Sequence, residues 1–217
     1  MKNTRYLILA SLVMSLSQPV MAEDNWFIRP YIGLSQMSDV SGDFNNIDGL
    51  TSGSADIDLD TGFTSGIGVG YLYNNNVAVE LGWEYRSNDS KTVLNNASKF
   101  NDGNYASSIF YLNGHYLFAK RDKWQPYLGA GLTWAQEVDI DLERDASELS
   151  YSGDGEVGYQ LFAGINYDWS ENWKFQGEAR YGSITGIDLN AEGDAVGQFD
   201  DLDYKTTTLQ VGVVYSF

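Results

Sequence analysis

Asp56, Asp58 and Asp60 stand two residues apart around Ile57 and Leu59, and Glu137, Asp139, Asp141 and Glu143 repeat that spacing around Val138, Ile140 and Leu142. Closely spaced carboxylates are hard-oxygen ligands, and the chemistry they suit is capture of Ca²⁺ or Mg²⁺. An EF-hand is excluded: counted from Asp56, the sixth and twelfth positions are Thr61 and Ile67, where that loop needs Gly and Glu. The parity of the strands that begin at 62 and end at 136 carries straight on through these runs, so both strands are expected to project beyond the membrane with the acids lining the mouth. There a shared cation site needs Asp56, Asp58 and Asp60 to face Glu137, Asp139 and Asp141. The alternative is a solvated, aggregation-resistant surface.

A second group mixes signs. Arg29, Glu80, Glu84, Arg86, Glu178 and Arg180 fall on one parity of apolar-alternating segments, together with Tyr31, Asn113, His115, Gln160, Asn166 and Gln176. Three acids and three arginines enclosed together must pair, because an unpaired buried ion costs several kcal/mol. They make either a salt-bridged plug or the lining of a narrow path.

Enzymatic chemistry is limited by histidine, of which the chain has one, His115. Lipid A deacylases carry a His-x-Ser pair, whereas Tyr116 and Leu117 follow His115. A Ser-His-acid unit also needs hydrogen-bond reach among its members, and no serine is expected beside His115 on its face. No catalytic residue is assigned.

These groups must be held by strands. Leu209, Val211, Val213, Tyr215 and Phe217 alternate with Thr208, Gln210, Gly212, Val214 and Ser216, the period of a strand between two unlike environments. The same alternation predicts strands over 26–35, 62–73, 77–86, 105–118, 124–136, 157–167 and 173–182, eight with 204–217. Connections 74–76, 119–123 and 168–172 are short, while 36–61, 87–104, 137–156 and 183–203 are long. Outward aromatics cluster near the turns, as Trp26, Tyr71, Tyr116 and Trp173, and near the loops, as Phe63, Trp83, Phe110, Trp134 and Tyr181. Two aromatic belts around an aliphatic band, with alternating turn lengths, predict an eight-stranded antiparallel up-and-down transmembrane β-barrel with both termini periplasmic. A soluble sandwich or lipocalin-like barrel explains the alternation but not the belts.

Lys2 and Arg5, the apolar run from Tyr6 to Leu16, and Val20-Met21-Ala22 predict a signal peptide over 1–22 and a barrel domain over 23–217. With no cysteine in the chain, neither a disulfide framework nor a thioether anchor is available. The four long connections hold 22 acids and three bases, and the rest of the expected mature chain balances at eight of each. All the excess charge therefore sits at one end. Such a surface repels nucleic acid.

Tyr31-Ile32-Gly33-Leu34, the run Gly66 to Tyr71, Gln125 to Gly131, Tyr159 to Tyr167 and the closing Gly212 to Phe217 carry a resemblance to the outer-membrane protein β-barrel domain family, the small porin-like group similar to OmpA-like membrane domains and opacity adhesins. The resemblance implies the cell outer membrane, with its lipid and lipopolysaccharide as surroundings, and a terminal signal in Tyr215 and Phe217 for the barrel assembly machinery. Function stays open: a structural or surface-interaction role through acidic extracellular loops that meet a surface ligand, then a narrow porin-like channel, then a lipid A-modifying enzyme. No cofactor is expected beyond Ca²⁺ or Mg²⁺ at the loops.

Overall fold

The computed structural model describes residues 25–95, 98–144 and 147–217; the signal peptide expected over 1–22 lies outside them. The chain forms β1 (Trp26–Met37), β2 (Val40–Ile47), β3 (Leu50–Leu59), β4 (Gly62–Asn74), β5 (Val77–Leu94), β6 (Ser98–Phe100), β7 (Asp102–Leu117), β8 (Trp124–Arg144), β9 (Ser147–Gly153), β10 (Val157–Asp168), β11 (Trp173–Glu192) and β12 (Gln198–Ser216). All the pairings are antiparallel.

Eight strands close a lower ring in the order β1, β4, β5, β7, β8, β10, β11, β12 and back to β1. The seam is Phe27 opposite Ser216 through Met37 opposite Thr206. This is the expected eight-stranded barrel. Its outer face is aliphatic and open, with Ile32 65% and Leu81 61% exposed, and ring pairs mark its two ends. Trp26 meets Tyr71 and Trp173 meets Tyr215 at the short-turn end; Phe63 meets Tyr85 and Phe110 meets Trp134 at the other.

Five of those strands, β5, β7, β8, β11 and β12, run on past the lower ring; β8 thus projects as expected, whereas 56–59 belong to β3, a strand separate from β4, and most of the remaining expected loops are strand as well. In the upper half β2 and β3 take the places of β1 and β4, and β9 takes that of β10. The order β12, β2, β3, β5, β7, β8, β9, β11 closes a second, upper ring. Much of the stretches 36–61, 137–156 and 183–203 is therefore strand. Their alternation is the reason: Phe44, Ala55, Ile57, Leu59, Val138, Ile140, Leu142, Ile187 and Leu189 all point inward and are buried. The β2–β3 hairpin turns on Asp48-Gly49, with φ of 52° and 77° between the paired Ile47 and Leu50. Two successive positive φ values fit the tight hairpin turn in which Asp-Gly is favoured.

Candidate functional site: the filled interior and the acidic rim

Alternation sends every second residue of the lower ring into a lumen that eight strands leave just wide enough to fill. Arg29 comes from β1, Glu80, Glu84 and Arg86 from β5, and Glu178 and Arg180 from β11, all buried. Arg29 holds Glu80 at 2.7 Å and approaches Glu178 at 3.9 Å. Arg180 holds Glu178 at 2.7 Å and Glu84 at 3.0 Å, and Arg86 is paired with Glu84. Phenols complete each carboxylate: Tyr31 donates to Glu84 at 2.8 Å, Tyr111 to Glu80 at 2.9 Å and Tyr127 to Glu178 at 2.7 Å. The Arg180 guanidinium also lies over the Tyr31, Tyr111 and Phe162 rings. Small neighbours make room for these long chains; a Cβ on Gly68 would meet Glu80 Oε1 at 1.9 Å.

The upper end of this network is Arg86, which donates to Ser35 and Thr208 at 2.8 Å each. Beyond it the interior changes character. Met37, Phe44, Ile57, Leu94, Tyr105, Ile140, Tyr151, Leu189, Phe199 and their neighbours form one apolar cluster within the upper ring. Sequence reasoning missed this core, although the apolar alternation and the Asp48-Gly49 turn were its visible signals. It also missed Asn88, whose amide donates to the carbonyls of Ser35 and Asp60 where the two rings meet.

The acids lie outside the wall rather than lining a mouth. Asp56, Asp58 and Asp60 are exposed while Ile57 and Leu59 are buried. Parity changes because the chain leaves β3 and enters β4 at Asp60-Thr61. In β8 it changes through a bulge: Ile109 opposes Ala135 and Ser108 opposes Glu137, so Gln136 is an extra residue. Glu137, Asp139 and Asp141 thus face outward as well. The β5 and β7 strands separate β3 from β8, so the six carboxylates do not meet. Among the described residues no group of three or more His, Asp or Glu is placed to hold a metal ion. Burial, with Glu137, Glu192 and Asp141 nearby, pushes the Asp139 carboxyl up to about 6. Arg144 donates to Asp48 at 2.6 Å, and that hydrogen bond holds the Asp48 carboxyl below its ordinary range.

His115 sits in the lower ring against Phe162 at 4.8 Å and Tyr127 at 5.8 Å, with Nε2 3.2 Å from Glu80. These neighbours supply no serine nucleophile. Phe217 extends the seam by donating its amide to Trp26 at 3.0 Å, and Tyr215 packs edge-on against the Phe217 ring.

The model of the outer membrane protein beta-barrel domain family matches residues 8–217. Among solved structures the chain is similar to the outer membrane protein OprG from Pseudomonas aeruginosa, at 17% identity and a TM-score of 0.67 over 89% of this chain and 96% of that one. It is also similar to Neisserial surface protein A, at 16% identity and 0.53 over 88% and 97%. Outer membrane protein AlkL, solved in lipid bilayers, matches at 20% identity and 0.52 over 90% and 92%. No curated protein matches the chain. The match along nearly the whole length, on a closed eight-stranded ring with a lipid-suited outer face, makes this chain a member of the outer membrane protein β-barrel domain family and a protein of the outer membrane.

Proposed function

We propose that the protein is a closed barrel that presents a stiff acidic surface outside the cell and acts through contacts of that surface, passing no solute along its axis. The observation that carries this reading is the filling of the interior at both levels. A paired ion network occupies the lower ring and an apolar core occupies the upper one. Short turns, and with them both termini, are assigned to the periplasm, and the upper ring to the exterior. The acids then stand on hydrogen-bonded strands, which hold their spacing better than mobile loops would. Partners of matching chemistry are cationic surfaces, met beside the lipopolysaccharide that surrounds the barrel.

Two measurements test this. In planar bilayers the protein should give no steady conductance; reproducible channels of defined size would favour the narrow-pore alternative. Vesicles carrying it should adhere to amine-coated beads and not to sulfate-coated ones, and should lose adhesion when the upper strands are shaved by protease. Equal adhesion to both bead types would remove the surface-contact role.

A further inference from the structure

A cavity of about 60 Å³ enters the lower ring from the short-turn end, running from Asn25 and Ser216 at the rim to Glu80 and His115 inside. Its wall is largely apolar, but Glu80, His115, Asn166 and Gln176 give water in it polar partners, and a space of this size has room for a few water molecules. His115, the one histidine of the chain, is buried beside it. Its Nε2 lies 3.2 Å from Glu80 Oε2, a contact that becomes an ion pair only when the ring is protonated.

The surrounding groups are poised for exchange. Glu80, on β5, already accepts from Arg29 of β1 at 2.7 Å and from Tyr111, on the strand of His115, at 2.9 Å. Tyr127 of β8 flanks the imidazole at 5.8 Å and donates to Glu178 of β11, and the neutral Phe162 ring of β10 lies 4.8 Å from it. Lys174 of β11 stands among the cavity's lining residues. Arg29 is within 3.9 Å of Glu178, a second carboxylate it can turn to.

We propose that this cavity is a proton-binding site served from the periplasm, in which protonation of His115 moves Arg29 from Glu80 towards Glu178. The periplasmic access rests on the orientation given above; the exchange does not. Water in the cavity hands a proton to the unprotonated imidazole nitrogen, which makes both ring nitrogens donors and the ring a cation. Glu80 then faces two cations. Its hold on Arg29 weakens, so the tie between β1 and β5 gives way to one between β7 and β5, while the tie between β1 and β11, which Arg29 Nη1 already makes by donating to Gln176 Oε1 at 2.9 Å, gains Glu178 as a partner. No bond other than the N–H forms, and the proton returns to cavity water when the pH rises.

The test is NMR of the labelled protein in lipid nanodiscs from pH 8 to 5, the range in which histidines commonly exchange their proton. The Arg29 Nε–H signal should move with the midpoint of the His115 ring, and should stay still in His115→Gln. Arg29 unmoved while His115 titrates, or a His115 that does not titrate, overturns the exchange; should the Gln variant fail to fold, the unmutated titration decides. Access is read separately. Diethyl pyrocarbonate should modify His115 in oriented vesicles from the periplasmic face, and several-fold more slowly in Val214→Phe, which crowds the cavity. Modification from the other face alone would overturn the orientation, and an unchanged rate in the variant would overturn the route.

Discussion

The amide of Asn88 donates to the carbonyl of Ser35 at 2.9 Å, and the same nitrogen reaches the carbonyl of Asp60 at 2.8 Å. Ser35 is the last residue of β1 to pair with β4, and Asp60 follows the end of β3. One side chain therefore satisfies carbonyls on both sides of the junction where the two rings change partners. Asn88→Ala should cost about 1 to 3 kcal/mol, since the buried carbonyl of Ser35 and the part-buried one of Asp60 lose this donor. Urea unfolding followed by gel mobility of the unboiled protein measures it, and a loss no larger than that of an exposed Asn→Ala change would dismiss the pin.

The outward row of the lower ring faces hydrocarbon. Leu81→Arg should therefore destabilise by about 2 to 4 kcal/mol, as arginine does at the bilayer midplane. The adjacent Gly82 points inward, and a Cβ there would meet the Tyr111 ring at 2.3 Å, dislodging the phenol that donates to Glu80. Gly82→Ala should thus also destabilise, through the interior network and with lipid contact unchanged. Refolding into vesicles of short-chain and long-chain lipid separates the two, because only the arginine variant should respond to bilayer thickness.

Glu178 accepts from Arg180, Tyr127 and Gln210 and lies near Arg29. Glu178→Ala leaves three interior arginines facing two carboxylates, and the expected loss is about 3 to 5 kcal/mol. Glu178→Gln, which keeps acceptors but not charge, should fall between the variant and the parent. A neutral Glu178→Ala in equilibrium unfolding would show that water already screens this group.

Asp139 titrates near 6 in the folded protein, above its ordinary value of 3.8. Between those values the folded state binds more protons than the unfolded one, so this group's contribution to stability falls as pH rises through that window. Asp139→Asn should flatten that part of the stability profile and raise the melting temperature above pH 6. The side chain is partly open to water, so the gain is small. Calorimetry of parent and variant at pH 4 and pH 7 checks the sign: an equal shift at both would exclude the titration.

Parity made the lower ring legible in the sequence. Arg29, Glu80 and Glu178 could be placed inside because the residues between them are aliphatic or aromatic and suit lipid. The upper ring was harder to read because the rule reverses there. Its inward residues are apolar and its outward ones acidic, so Asp56 and Asp139 sit on the opposite side from that given by extending the lower strands. The bulge at Gln136 and the step at Asp60-Thr61 cause the reversal, and neither carries a mark in local composition. Asn88 was invisible for another reason: its two acceptors come from β1 and from the chain just beyond β3, and no local pattern links them to β5.

The exchange of β1 and β4 for β2 and β3 also sets an order of events. β12 is the last strand made, and it closes both rings, pairing Leu209 with Leu34 below and Phe199 with Phe44 above. Both pairings span most of the chain, so whichever forms alone carries a loop-closure cost. The lower seam, from Phe27 opposite Ser216 to Met37 opposite Thr206, has more pairs to offset it than the short upper one, from Asn45 opposite Gln198 to Asp43 opposite Asp200. Once the lower seam has zipped, the upper end of β12 is already held beside the hairpin, and that cost is largely met. The acidic storey, with the shorter seam, should therefore lock last, and a chain stalled before that point would leave the apolar core of the upper ring uncovered.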